Sequence, residues 1–246
     1  QKSYFNPIHW VDRSIDPLCL GSNMCSTHTY LTSVFKSDEW KKYQQEVWTP
    51  LVKEVGLVLN QKTVQLMDIF DCMKTSQCGN KPLPDGFTDD LASRLEVAAN
   101  KYWSFAFEYN KKLSTQLFTG PLLLELHNEW FNIVSNNTYE QRKNTSIDMH
   151  SFSGHDFGPM MNLVNAFDLP RGDTWPPYQS VLLMELYATE KPQNTSSANS
   201  IYIRFIYNGV EQIPKWCTDR NLPGTTLCSA EEWINIIQSR LPTPEL

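Results

Sequence analysis

Ser153-Gly154-His155-Asp156 is the stretch of this chain whose residue types and spacing best suit chemistry. It lies between a short apolar run, residues 147–152, and a segment with helical spacing, residues 157–167. A His-Asp pair where a strand ends and a helix begins is where open α/β folds place ligand chemistry. Backbone N–H groups at a helix start favour an anion, so a phosphate is a natural guest. Asp156 is equally suited to capping the helix, and local sequence leaves the two roles open.

The elements that must position this pair can be read along the chain. Residues 1–35 carry Pro7, Pro17 and Gly21 and read as extended and turn-rich. From Ser37 the pattern is helical, with Trp40, Tyr43, Val47 and Trp48 on one face. Thr49-Pro50 predicts a new helix, Thr as N-cap and Pro at the first position. A further helix is expected over residues 63–70, ending at the 72–79 loop, with Pro82 and Pro84 as a linker. Two long helices follow, from N-cap Thr88 to about Phe105 and from about Thr115 to Val134, their stripes read as packing. Residues 147–152, 180–188 and 200–207 read as strands, and 170–177 as a Pro-rich connection. Ser229 with Glu232 three residues on predicts a capping box for a last helix to about Leu241.

Totals narrow the class. The 246 residues are 41% hydrophobic and 12% aromatic, with eight Trp, a globular composition. A net charge of −6 without any basic block argues against nucleic-acid binding, which needs clustered Lys and Arg. Apolar runs are too short to span a bilayer. The six Cys fall into local pairs, Cys19 with Cys25, Cys72 with Cys78 and Cys217 with Cys228, although six Cys allow 15 connectivities. Their spacing matches no zinc pattern, and no His/Asp/Glu cluster has metal-ligand spacing, so neither metal nor cofactor is expected. Sequons at Asn136, Asn144 and Asn194 in polar stretches, with an even Cys count, favour a secretory or lysosomal route. The chain begins at Gln1, which reads as removal of a leader or as a polypeptide starting inside its gene product.

Taken in order, these features resemble the histidine acid phosphatases, the branch with prostatic and lysosomal acid phosphatases and many phytases. Asn6-Pro7-Ile8-His9-Trp10-Val11 resembles that family's P-I-P-V-H strand, and Met24-Cys25 the Cys after it. The helix-Pro-helix at 40–59 resembles its helical region, and Gly120-Pro121-Leu122-Leu123-Leu124-Glu125 its G-G-x-L-x-x-E helix start. Ser153-Gly154-His155-Asp156 resembles its S-[AG]-H-D motif, Leu183-Met184-Glu185-Leu186-Tyr187 its x-x-E-L-Y strand, and residues 202–208 its M-x-Y-R-N strand. The likeness covers nearly the whole chain.

The resemblance implies an α/β fold, the C-terminal part of a three-layer αβα architecture with a helical cap. Residues 1–15 would be the N-terminal strand of the α/β core, 16–115 the cap, and 116–246 the core with the His-Asp motif. It implies phosphomonoester hydrolysis through a phosphohistidine, with His155 contacting the phosphoryl group and Asp156 protonating the leaving alkoxide. Dimerisation is common in the prostatic-type branch. His9 and His28, with His127 and His150, are expected to be structural, His150 facing away from His155 by strand parity.

Two departures matter. The family's nucleophile sits in R-H-G-x-R-x-P, and none of the five His here is flanked by Arg and Gly. The expectation is therefore a C-terminal piece whose partner is the N-terminal chain of the same precursor. Phe157-Gly158 stands where the family carries small hydroxyl residues, which points to altered substrate preference or to a non-catalytic secretory glycoprotein on the same fold.

Overall fold

The computed structural model describes residues 25–135, 149–170, 174–188, 201–217 and 224–242. Helix α1 spans Cys25–Phe35, α2 Asp38–Tyr43 and α3 Thr49–Val58; α4 spans Leu66–Cys78, α5 Asp89–Glu108, α6 Lys111–Phe118 and α7 Gly120–Ser135. A π-helical turn, Asp156–Met161, runs into α8, Asn162–Ala166. Strands β1 (Leu182–Ala188), β2 (Ile201–Tyr207), β3 (Val210–Gln212) and β4 (Cys228–Ser229) precede α9, Ala230–Arg240.

Local side-chain chemistry sets several boundaries. The Leu91 N–H donates to Thr88 Oγ1 at 3.2 Å, and Asp89 and Asp90 complement the positive end of α5. The Glu232 N–H donates to Ser229 Oγ at 3.3 Å, so the expected cap of α9 is present. Asn208 and Gly209 both have positive φ, 51° and 80°, the pair that a two-residue hairpin between β2 and β3 requires.

Other boundaries depart from expectation. Residues 25–35, read as turn-rich, are helical because Tyr30 and Val34 bury one face, and the Tyr30 hydroxyl donates to the Ala106 carbonyl at 2.7 Å. Thr49 is no cap: a π-helical turn, Gln44–Trp48, carries α2 into α3 without a break. Pro50 has no N–H and its ring crowds the preceding turn, and the wider turn accommodates both. The helix expected over 63–70 instead runs to Cys78, since Met73 is buried one turn beyond Phe70. The single helix expected over 115–134 is broken at Thr119. There the chain passes so close to Pro242 that a Cβ on Gly120 would lie 2.6 Å from its ring.

Residues 149–152 form no strand; Met149 through Phe152 are exposed and pair with no strand among the described residues. Residues 147 and 148 lie outside the described set. The fold is thus a mixture of helix and antiparallel sheet, and every strand pairing among the described residues is antiparallel. β1 pairs β2 from Leu182↔Tyr207 to Ala188↔Ile201, and β2 also pairs β3 and β4.

Two cores result. α3, α4 and α5 enclose Leu51, Val55, Phe70, Leu91 and Leu95, and Met161 and Trp175 from the second half of the chain pack into this cluster. The second core puts Ile203 and Phe205 of β2 against Leu122 and Leu126 of α7 and Trp233 and Ile237 of α9. None of the described helices is long and apolar enough to cross a membrane.

Cys217 and Cys228 are disulfide-bonded and fully buried, with Cα atoms 5.5 Å apart. Cys72 and Cys78 are free, exposed thiols, so that expected pair is not formed. Six residues along one helix advance about 9 Å, beyond the roughly 7 Å a disulfide spans. Cys19 and the Cys25 side chain lie outside the described residues. Replacing both Cys217 and Cys228 by Ala is expected to cost about 3 kcal/mol, because the bond closes a short loop. A urea midpoint equal to that of the native protein would contradict this.

Candidate active site

The chain reaches the His-Asp pair through exposed residues 149–155 and turns at once into a helix. His155 is extended (φ −77°, ψ 159°), and its carbonyl accepts the Met160 N–H at 3.4 Å, closing a π-helical turn. The turn is anchored on both sides. Met161 is buried in the helical core, while Val164, Ala166 and Phe167 are wholly buried, Val164 and Phe167 in the core behind the sheet. Asp156 therefore opens a turn whose later residues are tied to both of these cores.

Gly154 has a steric reason to be glycine. A Cβ there would lie 2.2 Å from Pro159 Cγ, so the backbone before His155 lies directly on the proline ring. Gly154→Ala is expected to cost about 1–3 kcal/mol, as overpacking does, and to displace the pair. A thermal midpoint and activity both unchanged would show that the turn yields freely.

His155 is exposed and Asp156 half-buried. Trp175 Nε1–H donates to Asp156 Oδ2 at 2.6 Å. Trp175 is itself buried, its ring meeting Phe70 of α4 edge-on at 4.9 Å between centroids. Beside them lies a small recess of about 20 Å³, lined by Asp156, Phe70, Lys74, Trp175, Pro177 and Tyr178 among others. Along its rim the Tyr178 hydroxyl donates to Asp71 Oδ1 at 3.0 Å and lies 3.1 Å from Thr75 Oγ1. Thr75 pulls the Tyr178 phenol down, but burial and the carboxylates of Asp71 and Asp156 outweigh it and leave the phenol above its ordinary range. Lys74 on the same helix pairs with Glu96 at 3.2 Å.

The other histidines lie elsewhere. His150 is 3.6 Å from Glu129 and stacks on Phe152, and with no strand formed there the parity argument for it lapses. His127 stacks on Phe131 and meets Gln238 of α9 at 3.1 Å, a contact between helices. His28 is exposed on α1. His9 and the sequon residues Asn136, Asn144 and Asn194 lie outside the described residues, as does the side chain of Phe157.

Glu185 on β1 is engaged by Arg204, whose Nε donates to it at 2.8 Å, and by the Tyr187 hydroxyl at 2.9 Å. Arg204 foremost, then Tyr187, holds its carboxyl below the usual carboxylate range. Arg204 also pairs with Glu211 at 2.8 Å, so β1, β2 and β3 share one ion-pair ladder. Among the described residues no cluster of three or more His, Cys, Asp or Glu is arranged to hold a metal ion.

Sequence reasoning missed Trp175, Tyr178 and the α4 wall. Trp175-Pro176-Pro177-Tyr178 was legible as a connection, and its only signal was two aromatics flanking a Pro pair.

No protein-family model matches the chain. It is 30% identical to counting factor 60 of Dictyostelium discoideum over 175 residues, 70% of this chain and 36% of that protein. Lysophosphatidic acid phosphatase type 6 of Mus musculus is 26% identical over 157 residues, 63% of this chain and 33% of that protein. A probable acid phosphatase of Dictyostelium discoideum is 25% identical over 191 residues, 72% of this chain and 37% of that protein. The matches span about a third of these relatives' length. With relatives named as acid phosphatases, the chain is similar to a group whose function is of the phosphatase type.

Proposed function

We propose that this chain carries the proton-donor half of an acid phosphatase site, acting on phosphomonoesters through a phosphohistidine. The nucleophilic His would come from an R-H-G-x-R-x-P segment of the same precursor, absent from these 246 residues. The observation that carries the reading is the half-buried Asp156, fixed by Trp175 at a helix start beside a small recess, in a chain similar to acid phosphatases.

The chemistry is consistent with those parts. As the nucleophile's N–P bond forms and the ester P–O bond breaks, Asp156 gives its proton to the departing alkoxide, a poor leaving group without it. Water then attacks phosphorus, Asp156 takes its proton, and the N–P bond breaks to release phosphate. His155, exposed next to Asp156, is the group that would contact phosphoryl oxygens. The alcohol would leave on the side of the small recess walled by Phe70 and Trp175. Residues 16–115 would act as the cap and 116–246 as the core, and the buried Cys217–Cys228 bond supports a secretory or lysosomal setting.

A second reading, a non-catalytic glycoprotein on this fold, is favoured by Phe157, which stands where the resembled family carries small hydroxyl residues. The test is phosphomonoester turnover by the full-length protein containing this chain. Hydrolysis lost in Asp156→Asn supports the enzyme; no hydrolysis despite an intact Arg-His-Gly segment supports the binding protein.

A further inference from the structure

Resting on the phosphatase reading, we propose that Trp175 is a positioning residue that fixes the plane of the Asp156 carboxyl group for proton transfer. The indole donates at 2.6 Å to one carboxyl oxygen, and a short bond of this kind restricts rotation of the whole group. The indole is not free to follow a wandering carboxylate. Trp175 is 8% exposed and held in the helical core, its ring set against Phe70. Asp156 begins the turn that Met161 anchors in the same core. The acid is thus gripped twice, through its backbone by the 156–161 turn and through its side chain by Trp175. The side-chain grip runs to the helical core, where the Trp175 ring meets Phe70 of α4, so α4 helps set where the proton is delivered.

Orientation of a reacting group decides how much of its acid strength reaches the transition state. The effect should therefore scale with the need for a proton. In the full-length protein, Trp175→Phe keeps a ring against Phe70 and removes the donor. We expect kcat for alkyl phosphates to fall about tenfold with KM nearly unchanged, while aryl phosphates with acidic leaving groups lose far less. The dependence of rate on leaving-group pKa should steepen. Equal loss across the series at an unchanged thermal midpoint would overturn the positioning role, leaving Trp175 as packing.

A second readout needs no turnover. The indole N–H resonance that Trp175→Phe deletes should move upfield in Asp156→Ala, which removes its acceptor; a resonance that stays in place overturns the inference. A full-length protein with an intact nucleophile segment that hydrolyses nothing overturns the phosphatase reading and this role with it. An active protein with uniform loss overturns the role alone.

Discussion

Asp156→Ala is expected to cut turnover of alkyl phosphates by about 10²–10⁴-fold in the full-length protein, while activated aryl phosphates lose about tenfold or less. The asymmetry follows from the leaving group. An alkoxide is a far stronger base than water at neutral pH and leaves only as the alcohol, so the acid contributes its full share. A nitrophenolate is stable as the anion and needs little help. Asp156→Asn makes the sharper comparison, because the amide keeps the size of the group beside Trp175 and cannot donate a carboxyl proton. Equal losses on both substrate classes in kcat/KM, which leaves out the later hydrolysis of the phosphohistidine, would remove Asp156 from the proton-donor role.

The largest expected loss of stability outside the cores comes from Asp168→Ala, about 3 kcal/mol. Asp168 follows α8 at φ +56°. Arg240 of α9 donates to its Oδ2 at 2.6 Å, Lys111 of α6 pairs with Oδ1, and the Lys215 N–H donates to its carbonyl at 3.3 Å. The carboxylate thereby ties α6 and α9 to the end of α8, and the carbonyl adds the segment at Lys215. Both Asp168 and Arg240 side chains are only 17% exposed, and Arg240 Nη1 is already buried without a hydrogen-bond partner. Removing the carboxylate would strand a largely buried guanidinium, the costly way to break such a pair. Alanine at a left-handed position adds about 1 kcal/mol more, which asparagine largely avoids.

Burial works against the Asp168 charge, but hydrogen bonds from Lys111 and Arg240 outweigh it and hold the carboxyl below its usual range. A carboxyl depressed in the folded state stabilises it fully above the unfolded value, about 3.9, and that contribution fades as pH falls toward the folded value. Thermal midpoints should therefore drop below about pH 4, and Asp168→Asn should flatten that drop. A variant as acid-sensitive as the native protein would contradict the assignment.

What could be read in advance was what local chemistry decides. Thr88 and Ser229 each accept a backbone N–H three residues on, and β2 alternates because Ile203 and Phe205 face one core. Features made by distant contacts were hidden. The break at Thr119 reflects Pro242, α1 is tied down by Ala106, and α4 extends because Met73 finds the core that also holds Trp175. The site divided the same way. His155-Asp156 stood out as a motif, whereas Trp175 reaches Asp156 across 19 residues through a turn no periodicity reveals.

The measurement that bears most directly on the central claim is phosphoenzyme trapping on the full-length protein, with an aryl phosphate as phosphoryl donor. The account predicts an acid-labile, base-stable phosphoryl group on the Arg-His-Gly segment, with slower breakdown in Asp156→Asn, because the second step also needs this carboxylate to take water's proton. An intact segment that never becomes phosphorylated, or a phosphoenzyme whose formation and breakdown ignore Asp156 with aryl and alkyl donors alike, would contradict it.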